Sequence, residues 1–414
     1  MRIASTFSIV CCLILSPWLR ADENWPEFRG PQGRGDAGEV DLPVDFSDER
    51  QLVWKVDDPH GRGWSSPVIW GDQLWITTAT LDGTKQYAVC YDKNSGEVIH
   101  DLLVFENVDP AEAHITNSYA SCSPAIEEGR IYVHFGSFGT ACIDTTSGEK
   151  LWQRRDLPCD HHRGPASSPI IDEENLYVPF DGFDVQYVVA LDKKTGDTVW
   201  KKDRDIDYGT DDGDRMKSYS TGTLITHEGV RQLIMPSAVE TITYDPKSGA
   251  ELWRVRHGWM NAAIRPIYEN GLVYIFAGDG PTKMVAVDPA GRGDLTSEIH
   301  LRHSKGVPMK PSPIMLGERL YMIEDQGVAS CINPVSGETI WQKRIGQNYR
   351  ASMLHAGGHL YTLSDEGLVT VFAAKDEYEE IAQHTFPAGF QASPAASGKK
   401  LYLRSMESLY CFEK

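Results

Sequence analysis

Short apolar runs bounded by turn residues recur along the chain, and their spacing is periodic. A small residue and a proline open one such run at Ser65-Ser66-Pro67, Cys122-Ser123-Pro124, Ser167-Ser168-Pro169, Pro311-Ser312-Pro313 and Ala392-Ser393-Pro394. Degenerate copies stand at Ser220-Thr221-Gly222, Ile264-Arg265-Pro266 and Ala351-Ser352-Met353, so the steps between the eight copies are 57, 45, 53, 44, 47, 40 and 41 residues. A turn and a second run follow each start, as in Leu74-Trp75-Ile76 or Leu320-Tyr321-Met322. A third run, such as Tyr87-Ala88-Val89-Cys90, is apolar almost throughout, as expected of a strand covered on both faces. It ends in Asp-x-x-Ser/Thr-Gly at Asp92 to Gly96, Asp144 to Gly148, Asp192 to Gly196 and Asp245 to Gly249, with Asn333 to Gly337 as a variant. Four residues past that glycine comes Trp152, Trp200, Trp253 or Trp341, with His100 in the first repeat.

An acid at the first turn position and glycine at the last make a tight hairpin. Four short strands per repeat of about 45 residues, eight times over, predict an all-β, eight-bladed β-propeller of four-stranded blades. The last repeat stops after three strands, at Cys411-Phe412, while Trp54-Lys55 carries the fourth-strand signature ahead of the first repeat. The N-terminal strand is therefore expected to close the ring, which removes an exposed sheet edge.

The extreme N-terminus departs from this pattern. Arg2 and the apolar Ile3 to Leu15 read as an export signal cut near Ala21. Ser8-Ile9-Val10 makes a poor lipobox ahead of Cys11, so lipid anchoring is the lesser alternative. The expected organisation is a signal peptide over 1–21, an arm over 22–50 and the propeller over 51–414, in an exported, periplasmic or secreted bacterial protein. No other stretch is long and apolar enough for a membrane span. The formal charge of −19 becomes −21 once Arg2 and Arg20 are removed, which excludes nucleic acid as a partner held by bulk charge.

The segment Ala190 to Trp200, Ala-x-Asp-x-x-Thr-Gly-x-x-x-Trp, resembles the signature of the PQQ-like β-propeller repeat proteins. So do Trp25-Pro26-Glu27-Phe28-Arg29-Gly30-Pro31, Gly136 to Thr140 and Arg163 to Pro169, and the resemblance spans roughly residues 24–414. It implies membership of the quinoprotein alcohol dehydrogenase-like superfamily, whose enzymes stack PQQ between an indole and a disulfide of adjacent cysteines. They hold Ca²⁺ with Glu, Asn and Asp and use an Asp base. The one adjacent cysteine pair here, Cys11-Cys12, lies in the export signal. No cofactor is therefore expected, and a PQQ- and Ca²⁺-dependent dehydrogenase stands as the alternative to a non-catalytic binding or scaffold module. A related propeller family scaffolds outer-membrane protein assembly by adding partner strands, which makes a protein partner one expectation.

Residues just ahead of each inner strand should face the axial mouth. They include Arg62, Trp64, Arg163, Lys217, Arg265, Lys310 and Arg350, with Tyr119, Tyr219, Asn261, Asn348 and Gln391 among them. Six cations there would form a basic spot in an acidic body, suited to a small anionic ligand or an acidic partner segment. The competing arrangement pairs them with inward acids such as Asp181, Asp279 and Asp325. Asp203, Asp205, Asp207, Asp211 and Asp214 match a Ca²⁺ loop in outline, but Tyr208 holds the place where such a loop needs glycine. A solvated acidic loop is the expectation, and no metal site is assigned. His161-His162, His300 with His303, and His355 with His359 lack the companions of a metal motif.

Cys90, Cys142, Cys331 and Cys411 all occupy one repeat position, two residues before the turn, where other blades have Ala190, Thr243 or Ala286. Equivalent positions in different blades are too far apart for a disulfide. Denatured, unreduced mature protein should therefore expose about six titratable thiols, and a count of two or fewer would refute the free-thiol assignment.

Overall fold

The computed structural model describes residues 23–47, 49–258, 263–278 and 282–414. The expected export signal, Asn261 and Asp279 lie outside the described residues. Eight sheets succeed one another around an axis, seven of four strands and one of five. Blade 1 comprises Val68–Trp70, Gln73–Ala79, Lys85–Asp92 and Val98–Glu106, counted from the axis outward. Blades 2 to 7 repeat that order, with inner strands Ala125–Glu127, Ile170–Ile171, Thr223–His227, Ile267–Glu269, Ile314–Leu316 and Leu354–Ala356. Blade 4 gains a short fifth strand, Gly293–Asp294, which runs parallel to Glu251–Arg256. Blade 8 takes three strands from the C-terminus, Ala395–Ser397, Lys400–Arg404 and Ser408–Glu413, and its outermost strand, Leu52–Asp57, from the N-terminus. Trp54 lies opposite Cys411 in that pair, so the expected closure is present.

The turn motif and the fourth-strand indole work together. In blade 1, Asp92 Oδ1 accepts the amides of Asn94 and Ser95, both at 2.8 Å, and the Gly96 amide closes the turn on Asp92 O at 2.9 Å. In blade 2, the amides of Ser147 and Thr146 hold the Asp144 carboxyl below the usual carboxylate range. The indole of one blade then settles on the turn of the next. Trp54 Nε1 donates to Lys93 O (3.1 Å), Trp152 Nε1 to Lys193 O (3.0 Å), Trp200 Nε1 to Pro246 O (2.9 Å) and Trp341 Nε1 to Lys375 O (2.9 Å). His100 keeps the same contact with Thr145 O at 3.2 Å. Trp253 reaches blade 5 through Gln232, which receives its N–H and passes one to Pro289 O.

Close approach explains two residue types in the motif. A Cβ on Gly196 or Gly249 would fall 2.7 or 2.6 Å from the indole of Trp152 or Trp200, and both glycines have φ above +60°. Within its own blade each indole lies opposite a small residue: Trp152 with Cys142, Trp200 with Ala190, Trp253 with Thr243, Trp341 with Cys331. The six cysteines of the described residues are buried and unbridged.

Residues 23–47 cross the lower end of the propeller, where the hairpins joining first and second strands lie. Trp25 exchanges two 2.8 Å main-chain bonds with Ile69 of blade 1, and the Ile126 amide of blade 2 donates to Pro26 O at 2.8 Å. The arm then passes the axis. Arg29, fully buried, donates through Nη2 to Pro313 O of blade 6 at 2.6 Å. Gly35 and Ala37 bracket His355 of blade 7 with bonds of 2.8 and 2.9 Å, and Asp36 accepts from His355 Nδ1 at 2.7 Å. Phe46 packs edge-on against Phe412 of blade 8. Among the described residues no helix is long and apolar enough to cross a membrane.

Trp54 is 7% exposed and joins blade 8 both to its own strands and to blade 1. Trp54→Ala should lower the unfolding free energy by about 3 kcal/mol in a urea titration, the lower end for a buried indole. Deleting residues 22–56 should go further and cause aggregation through the opened edge. An unchanged melting temperature for the deletion would mean that blade 8 does not depend on this strand.

Candidate functional site

The hydroxyl of the small-residue motif receives a main-chain amide from the preceding blade. The Ser66 amide donates to Ser123 Oγ (2.8 Å), that of Ser123 to Ser168 Oγ (2.9 Å) and that of Ser168 to Thr221 Oγ1 (2.9 Å). On the other side, Ser312 donates to Ser352 Oγ (3.0 Å), Ser352 to Ser393 Oγ (2.9 Å) and Ser393 back to Ser66 Oγ (2.9 Å). A hydroxyl that accepts in this way keeps its own proton for donation. Six of these groups, from Ser66, Ser123, Ser168, Thr221, Ser352 and Ser393, line an axial cavity of about 410 Å³. The belt breaks at blade 5, where Arg265 replaces the hydroxyl.

Above the belt stand Arg163, Lys310, Arg350 and Gln391, with Trp64 and Tyr219 beside them. His114, Thr116 and Asn117 enter from the connection between blades 1 and 2, and Phe28 of the arm closes the lower end. Trp64 Nε1 is buried and has no hydrogen-bond partner among the described residues. The cations are fixed from behind. Arg163 Nη2 lies 3.3 Å from Asp214, Lys310 Nζ 3.1 Å from Asp325 and Arg350 Nε 3.1 Å from Asp365. None of those acids reaches the cavity, and its described lining contains no Asp or Glu.

Three cations anticipated at the mouth lie elsewhere. Arg265 is 3% exposed and turns down to the arm, where it donates to Phe28 O and Glu27 Oε2, both at 2.8 Å. Lys217 is 1% exposed and donates to Asp214 Oδ1. Arg62 lies over the Trp64 ring at 5.7 Å but faces an outer groove that it shares with Tyr119. Asn348 bonds Glu366 outside the cavity. Of the inward acids, Asp325 meets Lys310, whereas Asp181 is spent on buried Arg204 at 2.6 Å. The acids of the 203–214 loop do not converge: Asp207 caps the Gly209 amide, Asp212 that of Asp214, and Asp214 serves Lys217 and Arg163. Among the described residues no three acids, histidines or cysteines gather as a metal site.

Sequence reasoning missed Phe28 and the His114–Asn117 wall. The 57-residue first step was the only mark of that wall, because the insertion's direction depends on contacts such as Asn117 Nδ2 to Arg163 O (2.9 Å). The lining also departs from what the resemblance implies for PQQ and Ca²⁺. It offers an indole, but no adjacent cysteine pair and, among the described residues, no carboxylate to hold a cation or act as base. These residues do not fit that cofactor set.

Eight blades closed by the N-terminal strand and fastened indole to turn make this a PQQ-like propeller of the quinoprotein superfamily. The chain belongs to the family described as outer membrane protein assembly factor BamB, whose model matches residues 44–230 and 184–414. Among solved structures, a europium-containing methanol dehydrogenase superposes with a TM-score of 0.71 at 11% identity, over 94% of this chain and 98% of that one. BamB from Moraxella catarrhalis gives 0.62 at 12% identity, over 88% and 99%. Quinohemoprotein alcohol dehydrogenase from Comamonas testosteroni gives 0.68 at 12%, over 94% and 80%. At these identities the likeness is one of fold. No curated protein matches the chain.

Asp214 is the acid on which the mouth turns. Its carboxyl is held below the usual range by the hydrogen bond from Lys217, with Arg163 adding to it. Asp214→Ala would strand the buried Lys217 ammonium, at a cost of about 3 kcal/mol. A depressed carboxylate stabilises fully above its unfolded pKa and loses that contribution as pH falls through the folded value. The difference between wild type and Asp214→Ala in urea unfolding should therefore be full at neutral pH and shrink below about pH 4.

Proposed function

We propose that the chain is an exported, non-catalytic binding propeller whose axial cavity holds a small anionic molecule. The observation that carries this reading is a lining with three half-buried cations, a belt of hydroxyl donors and no described carboxylate. Charge-assisted bonds from Arg163 and Arg350 suit a carboxylate or phosphate, and the enclosed walls weaken competition from water. Membership of a family described as an assembly factor supports a binding role over a catalytic one, and supports an exported location. The alternative, a PQQ-dependent dehydrogenase, has Trp64 in its favour within the described lining, beside the shared fold.

Calorimetric titration with citrate and inorganic pyrophosphate provides the test, beside an absorbance scan with PQQ and Ca²⁺. Wild type should bind one of the anions with an affinity that falls as salt rises. The Arg163→Ala/Arg350→Ala variant should lose roughly tenfold or more per contact. Salt-insensitive binding by both proteins, or a quinone spectrum with redox turnover, would end this reading.

A further inference from the structure

The inner strand of every blade has one edge bonded to the second strand and one turned to the axis. In blades 1, 2 and 7 the N-terminal arm occupies the axial edge at one repeat position. Ile69 and His355 each donate one main-chain bond to the arm and accept another from it, and the Ile126 amide donates one. Ile69, Ile126 and His355 are buried, at 0, 1 and 6% exposure.

The equivalent residues of blades 3, 4 and 5 are Ile171, Leu224 and Tyr268. Ile171 faces Leu176, Leu224 faces Leu233 and Tyr268 faces Val273, the register that pairs Ile69 with Leu74. In that register the amide and carbonyl point away from the second strand. Neither group of any of the three meets a hydrogen-bond partner among the described residues. All three are half-exposed and line one lower-face groove of about 770 Å³, walled on one side by Gln32 and Gly33 of the arm. Ile170 and Ile267 add apolar surface. The charged groups at its rim are matched in pairs, Arg34 with Glu269, Arg231 with Glu173 and Arg265 with Glu27.

We propose that this groove docks an extended, uncharged, apolar-anchored segment of a partner protein, which bonds the free edges of blades 3 to 5 as the arm bonds those of blades 1, 2 and 7. The occupant follows from continuity with the arm. The same strand edge, in the same register, is filled by main chain of the arm in blades 1, 2 and 7 and is open and half-exposed in blades 3 to 5, whereas its counterparts in blades 6 and 8, Met315 and Ala396, are buried. Unpaired edges recruit extended peptide through main-chain bonds, and apolar pockets beside them select alternate side chains. The balanced rim gives a charged segment no advantage. This site is independent of the axial cavity, which opens on the other side of Phe28.

The test selects phage-displayed linear dodecapeptides on the full chain and measures the enriched peptides by fluorescence anisotropy. Leu224→Pro removes the outward amide without touching a ladder bond, since proline is tolerated where a strand N–H faces away from its neighbour. Enriched peptides should bind wild type and the Arg163→Ala/Arg350→Ala variant alike, and Leu224→Pro at least tenfold more weakly. Bound peptide should slow amide exchange at Ile171, Leu224 or Tyr268. Tyr268→Ala, which keeps the backbone, supplies a second reading if Leu224→Pro fails to fold. The proposal is overturned if no peptide is enriched, or if Leu224→Pro and Tyr268→Ala bind as tightly as wild type. It is also overturned if sedimentation shows a second copy of the chain filling the groove, or if only the axial variant loses binding.

Discussion

The ring is held by one repeated contact, an indole N–H that reaches a turn carbonyl across the boundary between blades. Apolar packing also joins the blades, strong but non-directional, together with the hydroxyl belt at the axis and pairs such as Lys193 with Glu127. The indole bond sets the angular relation of one sheet to the next, because the donor is rigid and, for Trp54, Trp152 and Trp200, the acceptor sits in a turn pinned by its own aspartate. Direct, or through His100 and Gln232, the contact recurs at six of the eight boundaries in a closed ring whose repeats are spaced from 40 to 57 residues. The hydroxyl belt and the cavity inside it inherit their alignment from that closure. Where blade 4 lacks a direct reach, Gln232 relays the bond, and Gly293–Asp294 adds a strand at the same boundary.

The parts of this architecture that were legible in the residues are those written within one repeat. The Asp-x-x-Thr-Gly turn, the indole four residues on and the opposing small residue all lie within about a dozen positions. Ring closure was legible because Trp54-Lys55 is a displaced copy of the same local signature. The route of the arm was not. Its ties join residues separated by 237 or 284 positions, as in Arg265 to Phe28 and Arg29 to Pro313, and no local pattern encodes the partner. Arg265 shows the cost of reasoning by repeat position. It holds the slot of a belt hydroxyl, yet its length carries the guanidinium past the belt to Glu27. Lys217 shows a second failure, since a cation beside an acidic loop is more stable folded into that loop than turned to the axis.

The cavity and the groove divide the central passage between them, with Phe28 and the arm as the partition. The upper chamber is lined by hydroxyls, three cations and aromatic rings, and the lower groove by bare strand edge and apolar side chains within a rim of paired charges. One chain segment thus separates two chemically different surfaces that a plain ring would leave continuous. Assembly factors and quinoproteins share this scaffold, so what each surface binds is set by its own residues.

Blade 8 also imposes a schedule. Asp57 and Ser408 bond across 351 residues, so the first strand to leave the ribosome must wait for the last. Until then its six residues remain without a sheet, and seven blades stand in an open arc. The arm cannot bridge blades 1 and 7 before blade 7 exists. Closure of the circle and completion of the final sheet therefore coincide, while Phe28 is seated through ties to blades made before the last. A chain interrupted before the strands of blade 8 are made is left without a closed wall.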